Sequence, residues 1–292
     1  LTMSKTLISV GELIDQSWEL YRSRFVEFLS ISGWLILTAI LYALALAFYP
    51  AASILQSGAQ LTAGETLGVV VFTLTTFLVT PIISFWIFTS LARMLGTHLA
   101  GDRMNPSRAM REGREIFLKA LLTSVMVVLM VLFAIVIGFG PPVLIATLGS
   151  LANIDSVIMI ANVLLIVGIF VALFLSIQWT IYYLFAPLLT ILDGLPGKAA
   201  LENSRRLIQG RFWQVLMRVA VPKLVFIIFG IIAMSFIAYM ADVIVSASSS
   251  ISLDVQVRIG SMVETVVPIL IAALINPLMI ISDVLLLRSL RD

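Results

Sequence analysis

Lys198–Trp213 reads KAALENSRRLIQGRFW, and a second version of this stretch lies near the N-terminus. Displacing the sequence by 187 positions sets Asp15, Gln16 and Ser17 beside Glu202, Asn203 and Ser204. The same shift sets Leu20 beside Leu207, and Arg24 and Phe25 beside Arg211 and Phe212. A third, more diverged version is expected at Met110–Ala120. In each, a short basic amphipathic segment runs directly into a long apolar one, as when a helix on a bilayer surface leads into a helix that crosses it. Within Lys198–Trp213, Leu201, Ile208 and Phe212 share a face, Arg205 and Arg206 lie on or beside the other, and Gly210 is placed to end the helix left-handed.

The composition requires such a setting. Of 292 residues, 61% are hydrophobic and 12% charged, with a mean hydropathy of +1.12. A soluble domain of this size has too little interior for that apolar surface, so lipid must cover it. Cysteine is absent, which excludes a disulfide framework, a thiolate nucleophile and a cysteine metal site. The single histidine, His98, argues against a histidine-rich metal centre and is expected in a loop. No cofactor is expected. Lys5–Glu27 mixes charges of both signs without the apolar core of a cleaved signal, so it is expected to belong to the mature protein.

Outward from the repeated stretch, the spans fall into place. Val10, Leu13, Ile14, Trp18, Tyr21 and Phe25 recur at helical spacing over Ser9–Phe28, with Ser9 and Glu12 at capping-box spacing. The opposite face carries Glu12, Asp15, Glu19 and Arg22, which suits an interface. A first, straight crossing is expected over Phe28–Tyr49, long enough for roughly 30 Å of hydrocarbon. A second runs from Thr66 to Leu95, broken at Thr80-Pro81. Asn105-Pro106 signals a helix start, with Ala109, Met110, Ile116 and Phe117 marking a surface helix ahead of a third crossing, Ala120–Gly138. Gly140-Pro141-Pro142 is expected to break or loosen that crossing's far end. The fourth run, Val157–Leu192, exceeds one perpendicular span and contains Pro187. A fifth crossing is expected over Val215–Ala241, a serine-rich loop over Asp242–Met262, and a sixth crossing over Val263–Leu287, interrupted at Asn276-Pro277. The chain then closes with Arg288 and Arg291, with no soluble C-terminal domain expected.

Charge placement sets the orientation. The N-terminal stretch, the second connection, the fourth connection with its flanks, and the C-terminus together hold 17 of the 18 Lys and Arg residues. Only Arg258 lies on the other side. Short cytoplasmic loops carry such an excess, so both termini and the three amphipathic segments are expected to be cytoplasmic. Prolines support the repeat: Ser17 precedes Pro81 by 64 residues, Gly113 precedes Pro187 by 74 and Ser204 precedes Pro277 by 73. The expected architecture is one all-α polytopic membrane domain, 1–292, with six transmembrane helices and three interfacial ones. Its repeat units are 9–95, 105–192 and 197–288, parallel about an axis along the membrane normal.

VGELIDQSWELYRSRF at the N-terminus, KAALENSRRLIQGRFWQVL at the centre and NPLMIISDVLLLRSLRD at the end carry a family resemblance. With these the chain resembles the glycerophosphoryl diester phosphodiesterase membrane-domain family and related six-span bacterial inner-membrane proteins. In that family the membrane domain can precede a soluble phosphodiesterase domain, which the resemblance does not extend to here. Metal-assisted phosphodiester hydrolysis needs clustered carboxylates and histidines, so the resemblance implies architecture and no hydrolytic activity.

Candidate contacts for anionic lipid or an acidic partner are Arg22, Arg24, Lys198, Arg205, Arg206 and Arg211, against the simpler account that they fix topology. Candidate helix breaks are Pro81, Pro187 and Pro277, which either expose carbonyls to a pathway or merely kink their spans. Candidate intramembrane polar groups are Asn276 and Asp283, with Asn162 and Gln178 also in spans; Asp283 is expected to meet water or an arginine such as Arg288. Trp18, Trp34, Trp86, Trp179 and Trp213 are expected as interfacial anchors. The expected function is a non-catalytic scaffold or accessory subunit of a bacterial cytoplasmic (inner) membrane, binding a protein partner, anionic lipids or both, and no nucleic acid. The alternative is a small transporter or channel for a lipid or amphipathic solute. An intramembrane hydrolase acting through Asp283 is the third hypothesis.

Overall fold

The computed structural model describes residues 7–51, 54, 60–247 and 252–291, and among them every regular element is helical. Five helices are long and apolar enough to cross a membrane, and six spans result if one bent pair counts as a single crossing. The chain is a multi-pass membrane protein. It divides into two compact units, Leu1–Phe117 with Arg218–Ser289, and Leu118–Met217 with Leu290–Asp292.

In the first unit, α1 (Val10–Ser23) starts where Ser9 Oγ accepts the Glu12 N–H at 3.1 Å. Its buried row is Leu13, Ser17 and Tyr21. The segment expected as a straight first crossing is bent. α2 (Phe25–Ser32) and α3 (Leu35–Phe48) meet at 42°, because the backbone tightens to three-residue steps at Trp34→Ile31, Ile36→Gly33 and Leu37→Trp34. Gly33 permits the tight turn: a Cβ there would lie 2.6 Å from the Leu29 carbonyl oxygen.

The second crossing begins with a complete capping box, Thr62 with Glu65, and runs through α4 (Ala63–Leu74), a π-helical turn (Thr75–Val79) and α5 (Thr80–Leu99). Thr80-Pro81 does not break it. The Thr80 N–H reaches back to the Thr75 carbonyl, and this wider turn takes up the missing donor of Pro81 without ending the helix. Tyr42 on α3 donates to Thr76 Oγ1 at 3.1 Å beside the turn. His98 lies in the last turn of α5 and not in a loop.

α6 (Pro106–Leu151) opens with Asn105 Oδ1 accepting the Arg108 N–H. Its 46 residues, about 70 Å at 1.5 Å per residue, join the expected surface helix and third crossing into one element. Pro141 and Pro142 lie inside it and do not break it. Within the second unit the reason is close packing on α7 (Asp155–Tyr183): a Cβ on Gly168 would fall 2.2 Å from the Gly138 carbonyl oxygen, so the backbones touch. A break does occur before Pro187, where α7 ends and α8 (Ala186–Asp193) starts with proline in its first turn. Gly194, at φ 68, closes α8, and α9 (Gly197–Ile208) is followed by Gly210 at φ 82, the left-handed residue expected there.

α10 (Phe212–Ala247) and α11 (Leu253–Arg291) shorten the expected serine-rich loop from both sides; residues 248–251 of that loop lie outside the described residues. α11 runs unbroken through Pro268 and Pro277, so Asn276-Pro277 does not interrupt the last helix. Ile275, Leu278 and Ile281 around that proline are buried, and their packing offsets the cost of about 3 kcal/mol for an interior proline. Burial is uneven along the spans. Four candidate windows have only 11–17% of their residues buried, against 56% in Val255–Arg291, so lipid must cover most of the helix surface.

Candidate functional site

Inside the first unit, polar groups converge where the chain enters α1. Ile8 N–H donates to Ser289 Oγ at 3.0 Å, and Arg218 Nε donates to the Ile8 carbonyl at 2.6 Å. These bonds fasten the segment before α1 to both α10 and α11. One turn beyond Arg218, Lys223 Nζ meets Asp283 Oδ2 at 2.9 Å, joining the same two helices. Side-chain exposure of 25% and 15% makes this a largely desolvated pair. Asp283 thus has a cationic partner, as expected of an intramembrane carboxylate, but the partner is Lys223 and not Arg288.

Below this cluster α1, α10 and α11 enclose an apolar cavity of about 250 Å³ lined by Ile14, Trp18, Val225, Phe226, Phe229, Ile275 and Leu278. α1 covers it with the row Ile14–Trp18, adjacent to the buried row Leu13–Ser17–Tyr21. Tyr21 packs edge-on against Phe25 and near Phe28, and burial pushes its phenol above the ordinary value. Asn276, half-buried, faces a shallower recess of about 200 Å³ between α10 and α11, with Gly230 and Pro268 among its walls. Asn162 is exposed and Gln178 half-buried on α7.

The candidate basic residues separate by what they touch. Arg24 pairs with Glu27 at 3.3 Å and Arg206 with Glu202 at 2.6 Å. Arg22, Lys198, Arg205 and Arg211 are exposed and have no ion-pair partner among the described residues. In the second unit α9 turns Ala200, Leu201, Ser204 and Ile208 inward, and Ser204 Oγ donates to the Tyr182 carbonyl at 2.8 Å. Lys198 and Arg205 are exposed on a flank of this buried row, with Arg211 just past the helix end. Tryptophan placement is mixed. Trp18, Trp34 and Trp213 are exposed, whereas Trp86 Nε1 donates to the Met110 carbonyl at 3.1 Å and Trp179 stacks on Phe133.

Lys223 and Arg218 do not stand out in the sequence, where their charges read as part of the basic connection. The available signal was their position inside the expected crossing Val215–Ala241, where a cation must find a partner. Among the described residues no three His, Asp or Glu side chains converge. No family model, curated protein or solved structure matches this chain.

Proposed function

We propose that the chain is a non-catalytic scaffold or accessory subunit of a bacterial cytoplasmic membrane, holding a protein partner, anionic lipid head groups or both through its basic amphipathic helices. The supporting observation is the two-sidedness of α1 and α9. Each buries a row containing a serine, Ser17 or Ser204, and leaves arginine exposed, Arg22 on α1 and Arg205 and Arg206 on α9. In this proposal the start of α6 is the third such element, the units 9–95, 105–192 and 197–288 are parallel repeats, and both termini are cytoplasmic. The resemblance to the phosphodiesterase membrane-domain family then concerns architecture alone.

Near an anionic leaflet each exposed cation contributes about 1 kcal/mol, so Lys198, Arg205 and Arg211 together make lipid selection measurable. The test is lipid analysis of the chain purified in mild detergent, beside a variant with those three residues changed to Gln. Enrichment of anionic lipid, or a stoichiometric protein, that the variant loses supports the proposal. A bare chain without either overturns it. A transporter or channel for a lipid or amphipathic solute is the second reading, favoured by the break at Leu184–Phe185 inside the candidate span Asp155–Asp193. Solute flux in liposomes that depends on Pro187 would establish it, and no flux would dismiss it.

A further inference from the structure

The cavity under α1 combines three properties that the proposed basic face does not use. Its walls are wholly apolar, and at about 250 Å³ it is smaller than the roughly 300–1,000 Å³ of a drug-sized ligand site. A polar solute would find no hydrogen-bond partner in it, and water does not settle in such a space. It opens sideways: Trp18, Val225 and Phe229 are 48%, 43% and 62% exposed, while Phe226, Ile275 and Leu278 form its buried floor. Val225 and Phe229 belong to the candidate span Phe212–Ser246, so in the proposed membrane setting the opening faces lipid. The third property is charge. Ile14, Trp18 and Arg22 follow one another at four-residue spacing along α1, so Arg22 stands one turn past the mouth on the same row. It is exposed and has no ion-pair partner among the described residues.

We infer that this cavity receives one acyl chain of a bilayer glycerophospholipid whose phosphate is held by Arg22. The chain threads beneath Trp18 against Phe226 and Leu278, and the indole covers it at head-group depth, where tryptophan is favoured. Apolar lining selects the chain, and the guanidinium selects the phosphate. Lys223 is not the anchor, because Asp283 already neutralises it. Glu19, exposed on α1, adds negative charge nearby, so Arg22 offers a single basic contact and not a broad basic patch. The inference rests on the membrane setting of the proposed function but concerns the first unit, whereas the lipid test above acts through α9.

The test uses the full chain in phosphatidylcholine nanodiscs doped with phosphatidylglycerol carrying a photoreactive diazirine in its acyl tail, with adducts mapped by peptide mass spectrometry. A parallel sample carries diacylglycerol with the same tail. Adducts should concentrate on Trp18, Phe226 and Leu278 over lipid-facing controls such as Leu129 and Phe170. Val225→Trp, which fills the mouth from an exposed position, should bring them down to the control level, while Leu224→Trp, on the lipid side, should leave them unchanged. Arg22→Gln should lower the phosphatidylglycerol adducts about fivefold, the value of one basic contact, without changing those of diacylglycerol. Adducts spread evenly over exposed helix faces in the unaltered chain would overturn the inference without any variant. Equal loss of both probes in Arg22→Gln would remove the phosphate from it. Even labelling together with anionic lipid that depends on α9 would sink this site and leave the proposed function standing; the converse result would do the opposite.

Discussion

Removing one partner of the Lys223–Asp283 pair should cost far more than removing both. Asp283→Leu leaves an ammonium group, and Lys223→Met a carboxylate, at positions whose side chains are only 25% and 15% exposed. Breaking a fully buried pair costs about 3–5 kcal/mol. Partial access to water lowers the expectation here to about 2–3 kcal/mol for either single change. At roughly 2 °C per kcal/mol for a chain of this size, the single variants should unfold about 5 °C earlier. The double variant Lys223→Met with Asp283→Leu has no stranded charge and fills the space with apolar groups, so it should lie within about 1 kcal/mol of the parent. The assay is thermal unfolding of the four proteins in one detergent, followed by tryptophan fluorescence and closed as a double-mutant cycle. Additive losses, with the double variant worse than either single, would show that the two groups do not act as a pair and refute the reasoning.

Three other outcomes follow from the helix geometry, each read by the same unfolding assay. Pro277→Ala should hold or raise the unfolding temperature, since α11 is already continuous there and loses an interior proline; a large fall would mean that the proline shapes a necessary bend. Gly168→Ala should cost about 1–3 kcal/mol because its Cβ would meet the Gly138 carbonyl at 2.2 Å. Gly140→Ala, whose nearest neighbour is 3.9 Å away, should be neutral or stabilising by up to about 1 kcal/mol, and equal effects at the two sites would contradict the close crossing. Ser9→Ala should cost about 1 kcal/mol through loss of the Glu12 N–H cap, and no change would show that α1 is held by its docking bonds alone.

The features legible in the sequence were those set by local chemistry. Hydropathy located the spans, Ser9 and Asn105 marked helix starts, and Gly210 marked the left-handed residue after α9. Where a residue's effect depends on what packs against it, the sequence misled. Pro277 and the Pro141-Pro142 pair have the same local preference for breaking helices as Pro187, yet only the break before Pro187 formed. Ile275, Leu278 and the Gly138–Gly168 crossing hold the other two helices together, and neither contact is visible within one segment. Gly33 shows the reverse case. It follows Ser30 and Ser32 in a run that has no proline before Pro50, and the bend arises from a switch in backbone hydrogen bonding. The cavity under α1 was equally hidden, because its walls come from helices some 200 residues apart along the chain.

Counting basic residues treats every Lys and Arg alike, whereas the structure gives them different work. Arg93 and Arg108 both contact Glu112, at 3.3 and 2.7 Å. Lys223 is neutralised by Asp283, Arg291 by Asp193, and Arg218 holds the carbonyls of Leu7 and Ile8. Arg258, which the charge count alone expects on the side opposite the basic connections, donates to the Ala47 carbonyl at 2.9 Å, within the last turn of α3, where a cation is favoured by the helix dipole. These groups have already committed much of their hydrogen-bonding capacity inside the protein, and recruiting them to an external anion would break a contact that the fold uses. Arg22, Lys198, Arg205 and Arg211 carry no such cost. If the charge of the basic face only oriented the chain, these four would be interchangeable with the rest. If it also holds lipid phosphate, substituting them should change lipid selection with little effect on unfolding, while substituting Arg218 or Lys223 should do the reverse.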